Sequence, residues 1–152
     1  MLCLSARISK FVAGEGIGVS DPRRQGGCMC GAVRFQIDDN PTWNTYCHCE
    51  SCRRHSGAPV VMLVTCSPDQ VSWSGERALY ESSPGRRRGF CRECGTTLSY
   101  EAEFRGSWCA LHISSLDCPE EFPPTNHVFH GEALPWIHID DQLTRYEGPK
   151  HI

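Results

Sequence analysis

A mainly β domain, all-β apart from its irregular cysteine-bearing loops, is the architecture this sequence predicts, and three observations predict it. Short alternating or β-branched runs recur along the chain. Ten prolines and 14 glycines punctuate those runs and leave little room for long helices. Eleven cysteines are present, and seven of them fall into three tight groups at 28/30, 47/49/52 and 91/94.

The elements follow in order. Val33, Phe35 and Ile37 alternate with Arg34 and Gln36, the period-2 signature of a half-buried strand. Residues 60–65 form a β-branched run, and residues 71–73 and 78–80 flank a turn at Gly75. Residues 97–100, 108–113, 136–139 and 143–146 read as further strands. One or two turns of helix are expected from Glu50 toward Ser56.

At 152 residues the chain suits one domain around one core. Its 39% hydrophobic and 22% charged content is that of a globular protein, and no run approaches the roughly 20 apolar residues of a membrane span. A formal charge of −3 supplies no long-range attraction for nucleic acid, so neither nucleic acid nor membrane is an expected partner. Arg86, Arg87 and Arg88 form either a local anion site or a solvated loop. The odd cysteine count argues against a secreted disulfide scaffold. So does an N-terminus interrupted by Arg7, Lys10 and Glu15. A reducing cytoplasm is the expected setting, where clustered thiols act as metal ligands or redox groups. Nothing in the chain chooses between a monomer and a homodimer.

Each cysteine group has its own chemistry. Zinc sits about 2.3 Å from each thiolate, so a tetrahedral site needs sulfurs nearly 4 Å apart, which the turn Cys91-Arg-Glu-Cys94 delivers. Gly95 then allows the positive φ at which such a turn reverses. A redox Cys-x-x-Cys would instead open a helix in a βαβ unit, and none is visible. Cys28 and Cys30, two residues apart in an extended chain, would point at one metal, and Gly26, Gly27 and Gly31 let the backbone bend around it. Two cysteines cannot complete a structural site, so Cys91 and Cys94 are the natural complement. Cys47-His48-Cys49-Glu-Ser-Cys52 leaves three thiolates without an evident fourth, the ligand number of an open catalytic zinc. His48, Cys66, Cys109 or Cys118 could equally fold back to close it.

Taken together, Gly26-Gly27-Cys28-Met29-Cys30-Gly31-Ala32-Val33-Arg34-Phe35, Tyr46-Cys47-His48-Cys49 with Cys52-Arg53-Arg54 and Ser56-Gly57-Ala58, and Arg88-Gly89-Phe90-Cys91 with Cys94-Gly95-Thr96 resemble a known family. It is the glutathione-dependent formaldehyde-activating enzyme family, whose domain also occurs in centromere protein V. The resemblance covers residues 26–148 and includes Leu134-Pro135-Trp136 and the tail from Asp140-Asp141 to Tyr146. It leaves residues 1–25 as an N-terminal extension open to disorder and 149–152 as a tail. It implies an Mss4-like fold of several small antiparallel sheets with zinc-binding loops. Two zinc ions are implied: a structural one on Cys28, Cys30, Cys91 and Cys94, and a catalytic, labile one on Cys47, Cys49 and Cys52.

The activity it implies is that of a carbon–sulfur lyase of the S-(hydroxymethyl)glutathione synthase type. Glutathione, or another small thiol, would be held as thiolate beside the triplet and would attack formaldehyde or a related aldehyde. Three thiolates leave Zn²⁺ with a formal charge of about −1, which suits thiol exchange better than hydrolysis. Arg53, Arg54, Arg87 and Arg88 are candidate partners for the anionic tripeptide, each also readable as a surface charge. His48 and His55 flank the triplet, with His48 the first candidate for general base or for orienting the loop. His112, His127, His130, His138 and His151 lack metal spacing and read as strand or surface residues. Cys3, Cys66, Cys109 and Cys118 are expected to pack in the interior. The rival reading is a non-catalytic binding module stabilised by two structural zincs.

Overall fold

The computed structural model describes residues 21–103 and 106–149. The mainly β expectation holds: among the described residues eleven strands form two sheets, beside one short α-helix. The smaller sheet is three-stranded, with β1 (Gln25–Gly27), β2 (Arg34–Ile37) and β5 (Val71–Ser74) all antiparallel. The larger begins with β3 (Trp43–Cys47) and β4 (Val61–Cys66) and continues through β6 (Arg77–Ser83), β7 (Arg86–Cys91), β8 (Thr97–Ala102) and β9 (Trp108–His112). Two short strands, β10 (Asn126–Val128) and β11 (Thr144–Arg145), complete it, in the order β11-β10-β3-β4-β9-β8-β7-β6. All its pairings are antiparallel except β3–β10 and β10–β11.

Period-2 alternation divides the large sheet into two faces. One face carries Val64, Cys66, Leu98, Cys109 and Leu111, which pack against Val33, Phe35, Ile37 and Val71 of the small sheet to form the main core. The other face carries Cys47, Leu63 and Ala110, and no second sheet of the described residues lies over it. That uncovered face holds the site described below.

Helix α1 (Glu50–Ser56) fills the expected place. Its start is capped by the Cys49 sulfur, which accepts the Cys52 N–H at 3.4 Å, and its end by Gly57 at φ 71°, whose N–H donates to Arg53 O. Residues 136–139 do not form the expected strand. Pro135 opens a turn closed by Ile137 N–H to Leu134 O at 3.0 Å, and Trp136 is left 64% exposed with no ladder partner. The short strands β1, β3, β7 and β10 carry glycine, arginine or polar residues that mask their alternation. Of the N-terminal extension, residues 1–20 lie outside the described residues.

Gly75 closes the expected β5–β6 turn with φ 81°, and a Cβ there would meet Ala32 O at 2.0 Å. A non-glycine residue must both strain the backbone and displace a neighbouring carbonyl. Gly75→Ala is therefore expected to cost about 3 kcal/mol in urea unfolding. An unchanged midpoint would remove this account of the turn.

Candidate metal centres and the open cysteine triplet

The first cluster joins the β1–β2 connection to the β7–β8 hairpin. The sulfurs of Cys28, Cys30, Cys91 and Cys94 all lie within 4.8 Å of one another, with Cys28 to Cys30 at 3.5 Å and Cys30 to Cys91 at 3.8 Å. These spacings fit a tetrahedral ion with ligands about 2.3 Å away. Cys28 and Cys30 meet through a turn rather than along an extended segment, because Gly31 N–H donates to Cys28 O and Cys28 N–H to Val33 O. Gly95 has the expected positive φ of 73°. Backbone N–H groups also reach the sulfurs, as Val33 N does to Cys28 Sγ at 3.2 Å. Hydrogen bonds from the Thr96 side chain and backbone lower Cys94 to about 5.

The second cluster lies on the open face. Cys47 ends β3, Cys49 caps α1 and Cys52 sits in its first turn. Their sulfurs are likewise within 4.8 Å of one another, with Cys47 to Cys49 at 3.5 Å. No described His, Cys, Asp or Glu joins the three as a fourth. Cys66 and Cys109 face each other across β4 and β9 in the main core, where burial pushes both thiols up to about 12. Cys118 is buried and disulfide-bonded, so packing alone does not describe it. Cys3 lies outside the described residues.

Three sulfurs so close cannot all ionise without a counter-charge. The protons divide accordingly. Hydrogen bonds from Cys47 and Cys49, then from Arg88, lower Cys52 to about 3, while contacts with Cys49 and Cys52 and then burial push Cys47 up. Arg88 is only 6% exposed, with Nη1 3.7 Å from Cys52 Sγ and its guanidinium carbon 4.9 Å from the Tyr100 ring centre. Among the described residues no carboxylate is in ion-pair range of it. A buried cation without a carboxylate needs an anion, and the triplet supplies one. This donor set fits a soft divalent metal: sulfur ligands, tetrahedral spacing, crowded thiols and one compensating arginine.

A cavity of about 540 Å³ opens beside the triplet. Trp43, Thr45 and Cys47 face it from alternate positions of β3, Leu63 and Thr65 from β4. Arg86 stands at the mouth, and Arg87 points to the opposite face, pairing with Glu101 and Glu103. Arg53 donates to the carbonyls of His48 and Glu132, so it ties loops together, and Arg54 pairs with Glu50 at the surface. Of the four nominated arginines, Arg88 alone borders the cavity.

His48 turns the other way. It is 2% exposed, its Nε2 meets His127 Nδ1 at 2.9 Å, and His127 Nε2 meets Asp141 at 3.0 Å. Accepting from His127 Nε2–H, the carboxylate fixes the tautomers, so that His127 Nδ1 accepts and His48 Nε2 donates. Burial, then the neighbouring His127, lowers His48 to about 4, keeping it neutral. These rings border a second cavity of about 610 Å³, with His130 and His138 on its wall. His55 packs edge-on against Phe90 and His112, away from the triplet. No spacing signal links His48 to His127, which lie 79 residues apart and meet through the parallel pairing of β10 with β3.

Residues 23–132 match the family described as glutathione-dependent formaldehyde-activating enzyme. The chain belongs to that family. The chain is similar to an uncharacterized lyase of Schizosaccharomyces pombe, 32% identical over 52% of this chain and 58% of its own length. The chain thus spans little more than half of that relative. A protein of Halomonas elongata, provisionally named a glutathione-dependent formaldehyde-activating enzyme, is 27% identical over 78% of this chain and 82% of its own. A Rhodobacter sphaeroides crystal structure shares the fold, with TM-score 0.50 and 18% identity over 80% of this chain and 98% of that one.

A pH dependence follows from His112, which burial, then His55 and Arg88, lower to about 3. The unfolded chain binds this proton as pH drops below about 6.5, whereas the folded chain does not until about 3, so stability is complete above that window and falls within it. The urea midpoint should be lower near about pH 5 than near about pH 7.5, and His112→Gln should reduce the difference. An undiminished difference would place the acid sensitivity elsewhere.

Proposed function

We propose that this protein is a zinc-dependent enzyme of the carbon–sulfur lyase type, joining a small thiol such as glutathione to formaldehyde or a related aldehyde and cleaving the adduct in reverse. The observation that carries the reading is the triplet of Cys47, Cys49 and Cys52, open to a cavity and lacking a fourth described ligand. Cys28, Cys30, Cys91 and Cys94 would hold the structural zinc, and the triplet the catalytic one. The family and the names of its lyase and formaldehyde-activating relatives support the reaction class. A zinc ion on the triplet would keep an incoming thiol deprotonated at neutral pH.

The chain's own groups do the remaining work. Arg88 offsets the excess negative charge of three thiolates and holds it within the sheet rather than in solvent. Arg86 at the mouth suits a tripeptide carboxylate, and Glu132 on the same wall suits its ammonium group. The thiolate sulfur attacks the carbonyl carbon, a carbon–sulfur bond forms, and the π pair moves to oxygen, which takes up the proton the thiol released. His48 orients the Cys47–Cys49 loop from behind, through its bond to His127, rather than serving as base in the cavity. Seven clustered free thiols favour a reducing compartment such as the cytoplasm, the disulfide-bonded Cys118 being the exception among the described cysteines. No described helix is long and apolar enough to cross a membrane.

Purified wild type should contain about two zinc ions per chain, and Cys47→Ser and Cys49→Ser should each lose about one while remaining folded. Glutathione should change the occupancy of that labile ion in the wild type. A triplet ion indifferent to thiols, whose loss unfolds the domain, would instead favour the binding module.

A further inference from the structure

The geometry points to an aldehyde bearing an apolar or aromatic substituent, rather than formaldehyde itself, as the preferred partner of the thiol at this site; this rests on the thiol–aldehyde reading above. Formaldehyde needs room for one carbon and offers nothing for a hydrophobic wall to grip. The cavity beside Cys47, Cys49 and Cys52 is of ligand size at about 540 Å³ and has such a wall.

The wall is continuous. Trp43 and Trp108 meet with ring centres 5.5 Å apart, and Tyr100 adjoins Trp108 edge-on at 6.4 Å. Leu63, Ala110 and Phe129 line the same cavity as these rings and the three sulfurs. A sheet face left open to water ordinarily carries polar residues at these alternating positions. Here it carries three half-buried aromatic rings covered by no second sheet of the described residues, although the main core lies on the other face. An uncovered apolar surface at a reactive site marks what the ligand brings to it.

Of the two reactants, glutathione has least use for this surface. It carries two carboxylates and an ammonium group, whose matching charges here are Arg86, hydrogen-bonded to the Tyr100 side chain, and Glu132, neither of them an apolar surface. Stacking and burial on Trp43 and Trp108 therefore fall to the substituent on the carbonyl carbon. The chemistry is that of any hemithioacetal: RSH and R′CHO give RS–CH(OH)R′ by forming one carbon–sulfur bond and moving the thiol proton to oxygen, with no oxidant or reductant consumed.

The test uses zinc-loaded protein, glutathione and a series of formaldehyde, acetaldehyde, hexanal and phenylacetaldehyde, with adduct exchange followed by NMR and each rate divided by its uncatalysed value. Catalytic efficiency should rise along the series, with hexanal or phenylacetaldehyde favoured over formaldehyde by about tenfold or more. Trp43→Ala and Trp108→Ala should each reduce that preference ratio by about tenfold. The wild-type series is decisive even if a variant fails to fold. Formaldehyde favoured over the larger aldehydes, or a ratio unmoved in both folded variants, would overturn the inference and leave the thiol–aldehyde reading standing. No acceleration with any aldehyde would remove that reading, and this inference with it.

Discussion

Thiolate charge is the constraint to which the open face of this protein answers. Three sulfurs of the triplet sit closer than their mutual repulsion permits if all are ionised, and the buried Arg88 is the cation that the sheet places against them. A cysteine cluster of this kind is poised between a protonated, apolar plug and a metal-binding anion. Hydrogen bonds from Cys47 and Cys49, with Arg88 adding to them, tip it toward the second by making one thiolate, that of Cys52, favourable before any ion arrives. Among the described residues the four-cysteine cluster has no such arginine. It relies on backbone N–H groups and the Thr96 hydroxyl, which suits an ion that stays in place.

Positioning of the triplet depends on chain closure from a distance. Cys47 lies in register with Val128, and the His48 N–H donates to Val128 O, so the loop between the cysteines is laid along β10 before the helix turns away. Behind it, Arg145, Asp141, His127 and His48 form a hydrogen-bonded line from the surface inward. A neutral histidine fixed on both sides is a rigid spacer, and rigidity is what an open three-ligand site lacks by comparison with a closed one.

Much of this was legible in the chain. The alternation of Val33, Phe35 and Ile37 places β2, and the short helix expected from Glu50 toward Ser56 is where α1 forms. The cysteine groups announce their sites because ligand spacing is a short-range property. What escapes is whatever the sheet assembles from remote strands. His127 has no motif, Trp108 and Tyr100 give no sign that they flank Trp43, and nothing near Arg88 in sequence says that it reaches Cys52. Residues 136–139 mislead for the opposite reason: their apolar character is real, yet a proline turn leaves them without a neighbouring strand.

The three consecutive arginines of β7 show how narrowly the site is specified. Arg87 serves the outer salt bridges, while Arg88 serves the sulfurs and Arg86 the cavity mouth, an assignment made by strand parity alone. Slipping the strand by one residue would exchange inner and outer roles without altering composition at all. One pairing irregularity, between Glu81 and Ser83 of β6, lies opposite the step from Arg86 to Arg87, and another, at Gly89/Phe90, follows Arg88. They act as buffers, letting an insertion or deletion in either hairpin be absorbed locally. Sequence drift in the loops can thus proceed while the phase of the arginines is held, and the chemistry survives changes of length that would otherwise turn its cation out into water.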